Sequence, residues 1–144
     1  MTLDEMIDLM NSDLMNEWMH MRFYLYHASA VVGLHCHEYK ELLLKEASSE
    51  MGHVTEFSDA IIGLGGVATA ESNNFPKFIK PEDIINHAVF IENQVVENYT
   101  LRIEQAKELG GVNGAWLEIF YENQLEHSRT DCDHFRQILR GIVA

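Results

Sequence analysis

The residues best suited to chemistry are carboxylates and imidazoles that recur at helical intervals. Glu17 is followed seven residues later by Tyr24, and Glu92 seven residues later by Tyr99. Glu50-Met-Gly-His53 and Gln124-Leu-Glu-His127 lie at matching distances downstream of Glu17 and Glu92, so the second half of the chain echoes the first. On a helix, residues at i and i+3 share a face, so Glu50 and His53 can offer an oxygen and a nitrogen ligand to one ion, with Gln124 and His127 in the equivalent place. Glu17 and Glu92 sit among apolar neighbours (Leu14, Met21, Tyr24; Val89, Val95, Val96), where a bare carboxylate is costly to bury and a cation is the natural partner. Mixed carboxylate and imidazole ligands suit iron or manganese. A near two-fold set suggests two ions sharing a bridging carboxylate, for which Glu50 is the candidate.

The elements that must position these groups are four long segments. Only two prolines occur, and glycines cluster at Gly33, Gly63 to Gly66 and Gly110 to Gly114. The segments between read as helices over about 3–32, 36–64, 81–109 and 113–140. Thr2 and Glu5 form a capping-box pattern at the first helix, and Pro81 with Glu82 and Asp83 suits the start of the third. Leu43, Ala47, Met51, Val54, Phe57, Ile61 and Leu64 make an apolar stripe on the second. The first and third connections are short, which makes two antiparallel hairpins. Between the second and third helices, Gly65 to Lys80 can span about 53 Å extended, against about 43 Å for the second helix, long enough to cross from one end of a bundle to the other. The expectation is an all-α fold: one domain over 1–144, a four-helix bundle of two antiparallel hairpins joined by a long crossover loop.

Composition narrows the function classes. With 10 Lys and Arg against 23 Asp and Glu, the formal charge is −13, spread along the chain. Such a surface repels phosphate backbones and attracts cations, so no nucleic-acid partner is expected. No apolar run approaches a membrane span and the amino terminus has no signal-like pattern, so a cytoplasmic protein without membrane contact is expected. Cys36 and Cys132 are too few and too isolated for a thiolate metal site.

At Glu17, Glu50, His53, Glu92 and His127 the chain resembles the bacterioferritin and ferritin-like di-iron family, whose pattern is one Glu from each of two helices and Glu-x-x-His from each of the other two. The resemblance runs from about Met6 to Arg140. It implies ferroxidase chemistry on Fe(II), with O2 or hydrogen peroxide as oxidant, Glu17, Glu50 and Glu92 as the catalytic carboxylates, and iron stored in a homo-oligomeric cage. Gln124 departs from it, standing where that family has its second bridging Glu. That leaves three carboxylates and makes Gln124 a weak ligand of a second, labile iron. Met51 falls where bacterioferritins place a haem-ligating methionine, so haem is a minor expectation beside ordinary packing. With little chain after His127, a twelve-subunit cage is favoured over a 24-mer, with a dimer as the fallback. A non-storing di-metal oxidase or peroxidase of the same fold, and a metal-free helical interaction protein, are the alternatives. Glu17-Trp-Met-His20 and Asp131-Cys-Asp-His134 also have ligand-like spacing but no echo. They are expected to be solvated or to guide iron inward rather than to be ligands. Tyr24 and Tyr99 are expected to be core aromatics beside the carboxylates, Trp18 and Trp116 to pack in the core or at a subunit contact, and His35, His37 and His87 to be exposed.

Overall fold

A computed structural model describes residues 1–143, and among them every regular element is a helix: α1 (Leu3–Ala30), α2 (Cys36–Gly63), α3 (Pro81–Leu109) and α4 (Gly111–Val143). They fall into two compact units. One is Ile7–Ile84; the other is Met1–Met6 with the chain from Ile85 onward.

The helix ends follow from local chemistry. Thr2 and Glu5 close a reciprocal capping box: the Thr2 N–H donates to Glu5 Oε2 at 2.9 Å and the Glu5 N–H to Thr2 Oγ1 at 3.1 Å. The α1–α2 turn passes through Gly33 at φ 108°, and α3 gives way to α4 through Gly110 and Gly111 at φ 70° and 66°, backbone angles that side chains with a Cβ rarely adopt. These turns fold each pair of helices back on itself.

In the first unit, the end of α2 returns to the beginning of α1. A Cβ on Gly66 would lie 2.8 Å from Ile7 Cγ2. The segment after α2 then runs beside α1 as an ordered strap. Asn11 Nδ2 donates to the Val67 carbonyl at 3.0 Å and Asn11 Oδ1 accepts from the Thr69 N–H at 2.9 Å. Trp18 Nε1 donates to the Thr69 carbonyl at 3.1 Å, and Asn73 Nδ2 donates to Asn16 Oδ1. Farther along, Phe75 packs against Phe23, Tyr26 and His27, and the Val32 N–H donates to the Ile79 carbonyl at 3.0 Å. His27 is the firmest tie. It is fully buried, its Nδ1 donates to the Phe23 carbonyl at 2.7 Å and its Nε2 accepts from the Phe78 N–H at 3.0 Å, which fixes one neutral tautomer. Burial pushes this imidazole below its ordinary pKa, against the backbone hydrogen bond to Phe23. The strap thereby carries the chain from the end of α2 to the end of the hairpin where α2 began, the task its length anticipated.

In the second unit, α3 and α4 pack along their length, and the ring pair farther along α3 lies earlier along α4 than the two contacts nearer the start of α3, as antiparallel packing requires. Cys132 Sγ lies 3.8 Å from the Val89 carbonyl, Arg136 Nη2 donates to Asn93 Oδ1 at 3.3 Å, and the Tyr99 and Tyr121 rings meet edge to face at 5.2 Å. Gly114 marks the closest approach. A Cβ there would sit 2.6 Å from the Ala106 carbonyl oxygen, a backbone atom that cannot move aside. Helix propensity alone would reward Gly114→Ala by roughly 1 kcal/mol. Overpacking against backbone should instead make it destabilising by about 1–3 kcal/mol, measurable by urea denaturation; a more stable variant would contradict this packing.

Candidate metal centre

The buried stripes carry the polar groups. On α2, Leu43, Glu46, Ala47, Glu50, His53, Val54, Phe57, Ala60 and Ile61 are buried, at steps of three and four. Glu50 and His53 therefore occupy positions that would ordinarily hold apolar residues. Met51, expected in this stripe, is about 100° around the helix from Glu50 and is 55 % exposed, because it is Glu50 that takes the inward place. A methionine facing outward is placed for contact with another molecule rather than with the core.

On α1 the inward stripe includes Asp13, Leu14, Glu17, His20, Tyr24 and His27. The structure brings Glu17, Glu50 and His53 together, with one ligand atom from each lying within 4.8 Å of the others. His53 Nδ1 is 3.1 Å from Glu50 Oε2 and 3.5 Å from Glu17 Oε2. All three residues are at most 4 % exposed. The expected solvated place for His20 is corrected. Its imidazole is 2 % exposed and its Nδ1 is 3.8 Å from Glu50 Oε1, the oxygen that does not face His53. The available signal was the stripe itself, since a residue three beyond Glu17 and four before Tyr24 must point the same way.

In the second unit Glu92, Gln124 and Tyr99 are buried, the first at 0 % exposure and the second at 2 %, whereas His127 is exposed. His134, His35 and His37 are exposed and His87 is half-buried. Tyr24 is fully buried. Trp18 is half-buried against the strap, and Trp116 is 49 % exposed and stacks on Phe120 at 5.5 Å, so it does not belong to the core of this chain.

Electrostatics bind the first-unit trio as a charged cluster. Burial by itself would raise the Glu17 carboxyl, but hydrogen bonding with Glu50 and His53, and the charges of His20 and His53, outweigh it and hold the group at about 2. Burial would likewise lower His53, but hydrogen bonds to Glu17 and Glu50 and their charges carry it up to about 11. In the metal-free chain an imidazolium thus stands where a metal cation would, and a metal that took its place would displace its proton. The donor chemistry fits a divalent ion of borderline hardness: carboxylate oxygens and an imidazole nitrogen, with no thiolate among them.

The sign of the pH dependence follows. Glu17, lowered on folding, contributes stability that is present above about pH 4.5 and lost as pH falls toward 2; His53, raised on folding, contributes stability that is complete below about pH 6.5 and lost as pH rises through 11. Thermal denaturation of the chelator-treated protein should show stability declining on the alkaline side of about 6.5. Metal-loaded protein, with His53 neutral as a ligand, should not show that decline. A flat metal-free profile up to about pH 10 would contradict the Glu17–His53 pairing.

Residues 7–140 match the model of the ferritin-like domain family. Among solved structures, the chain is similar to a ferritin-like, diiron-carboxylate protein from Bacillus anthracis str. Ames (TM-score 0.87, 24 % identity, covering 95 % of this chain and 96 % of that one). It is also similar to a dodecameric thioferritin, the bacterioferritin-related protein of Bacteroides fragilis (TM-score 0.84, 18 % identity, covering 97 % and 87 %), and to BfrA from M. tuberculosis (TM-score 0.86, 18 % identity, covering 94 % and 83 %). No curated protein matches. These likenesses establish the ferritin-like four-helix bundle as the fold, and with the family match over most of its length the chain belongs to the ferritin-like domain family.

Proposed function

We propose that this protein oxidises Fe(II) at a buried carboxylate and imidazole centre and stores the product inside a homo-oligomeric shell. The observation that carries the reading is the convergence of Glu17, Glu50 and His53 within 4.8 Å in a buried interior. Acidic and imidazole groups gathered there without a cation-accepting purpose would be a heavy burden on stability. Glu17, Glu50 and His53 hold the first Fe(II). Glu92, Gln124 and His127 enter the proposal on their sequence echo, as the weaker half of a di-iron site, with Gln124 keeping its iron labile. Iron is substrate here: two Fe(II) yield two electrons, which reduce O2 with two protons to hydrogen peroxide, or reduce hydrogen peroxide with two protons to water. The protein's residues bind the ion, exclude bulk water and hold the proton that His53 gives up.

Assembly is supported from two sides. The Bacteroides fragilis relative is dodecameric, and Leu25, Leu34, Met51, Ile62, Phe90 and Ile119 expose large apolar side chains on this single chain, as surfaces covered by further copies do. A twelve-subunit shell is the preferred form. The acidic surface, at −13 per chain, concentrates Fe(II) around it. A haem at Met51 would require two such outward methionines facing each other across a subunit contact.

Aerobic addition of Fe(II) to the purified protein, following oxidation rate and iron retained per subunit after gel filtration, tests the reading. Rapid oxidation with many irons retained in a shell supports it. Oxidation without retention turns the protein into a non-storing oxidase, and neither property leaves a metal-free helical protein.

A further inference from the structure

His27 fastens the strap in a way that works only while its ring is neutral. We infer that His27 is an acid-released latch: on taking a proton it lets go of residues 75–80, while the half of the strap nearer α2 stays seated on α1. The inference is independent of the metal centre.

The two ring nitrogens do opposite work. Nδ1 donates to the Phe23 carbonyl at 2.7 Å, within α1, and Nε2 accepts from the Phe78 N–H at 3.0 Å, across 51 residues of chain. A neutral imidazole has one donor and one acceptor, and both are committed here; an imidazolium has two donors and no acceptor. Protonation therefore sets an N–H on Nε2 against the Phe78 N–H, and it places a charge where His27 is 0 % exposed. Exchanging the tautomer offers no escape, because the Phe23 carbonyl needs the hydrogen on Nδ1.

The surroundings add no compensating charge. The neighbours of the imidazole are rings: Phe23 at 4.3 Å and Tyr26 at 4.9 Å from α1, Phe75 at 5.9 Å and Phe78 at 6.0 Å from the strap. The charged groups that face this cluster are cations, Arg22 of α1 over the Phe75 ring at 5.5 Å and Lys77 of the strap over the Tyr26 ring at 5.3 Å. Among the described residues no carboxylate pairs with His27, and α2 brings it neither a hydrogen bond nor an ion pair. Burial already holds the ring below its ordinary 6.5, with the backbone bond to Phe23 pulling the other way. Once Phe75 and Phe78 lift away, the ring faces water and recovers an ordinary affinity for the proton. The open state then binds more protons than the closed one, so opening is favoured as pH falls below about 6.5.

The two ends of the strap are fastened by different chemistry. Toward α2, Asn11 bonds both the Val67 carbonyl and the Thr69 N–H, and Trp18 bonds the Thr69 carbonyl, through side chains that take up no proton. Toward α3, the His27 bond to Phe78 is joined only by backbone, where the Val32 N–H meets the Ile79 carbonyl. Acid thus selects one end, turning the half-buried Phe75 and Phe78 toward water and loosening the approach to α3.

Hydrogen exchange of the full chain, resolved amide by amide and corrected for the intrinsic effect of pH, tests the latch. Protection of the Phe78 amide should fall about 10-fold for each pH unit below 6.5 until the closed form itself takes up the proton, while the Thr69 amide and the Phe57 amide of α2 keep theirs. His27→Gln, whose carboxamide can donate to Phe23 and accept from Phe78 without titrating, should make Phe78 protection independent of pH. Unchanged Phe78 protection in wild type between about pH 7 and 5 would overturn the proposal. So would a parallel loss at Thr69 and Phe57, which is global acid unfolding, or an equal fall in folded His27→Gln, which would put the titrating group elsewhere. The wild-type profile decides the matter even if His27→Gln does not fold.

Discussion

Glu50→Ala is expected to abolish rapid Fe(II) oxidation, lowering the initial rate by at least about 100-fold, a loss larger than that caused by removing groups that merely orient a ligand. The size follows from position. Glu50 is the residue that touches everything else in the cluster: its Oε2 faces His53 and its Oε1 faces His20. It also hydrogen-bonds with Glu17, and this contact helps keep that carboxylate ionised. Removing it takes away a carboxylate charge and both lines of contact together. Stability should fall as well, because removing one member of a buried charged cluster leaves the His53 imidazole with fewer partners, so the rate is read on samples shown to be folded. Stopped-flow absorbance of iron oxidation, beside a thermal melt of the same samples, separates the two. An unchanged rate would refute the bridging role of Glu50.

The second large effect is expected in the packing that holds the cluster. Phe57 is fully buried one turn beyond His53 on the inward stripe of α2. Truncation to Ala removes the transfer free energy of a large ring and leaves a cavity that helices on either side close only in part, so Phe57→Ala should destabilise the fold by about 3–5 kcal/mol in urea denaturation. Because a metal bound only to the folded state adds stability by mass action, part of this loss should return when Co(II) is present. A change below about 1 kcal/mol would show that the neighbouring side chains collapse into the gap.

Much of this arrangement was legible in the residues. The four helices were readable because proline is nearly absent and glycine clusters at the breaks, with only isolated glycines such as Gly52 inside a helix, so a helical period could run uninterrupted for seven turns or more. Glu17, Glu50 and His53 were readable because a charged residue on an apolar stripe is an anomaly that demands an explanation. His20 was not, although it lies on the same stripe: with no counterpart on α3, repetition offered no help, and only inward geometry identifies it. Met51 was misplaced for a related reason. A stripe drawn through apolar residues passed over Glu50, and the polar residue was the true member. The strap's length told that it could travel the hairpin, but its seating on α1 depends on Asn11, Asn16, Trp18 and His27 capturing particular polar groups of the loop, contacts between distant residues that carry no periodic signature.

The most direct measurement is diffraction from crystals soaked anaerobically in ferrous salt, with anomalous data collected on either side of the iron absorption edge. An anomalous peak within about 2.3 Å of donor atoms of Glu17, Glu50 and His53 is the predicted result. Well-ordered side chains enclosing no iron there, with His53 still bonded to both carboxylates, would contradict the account.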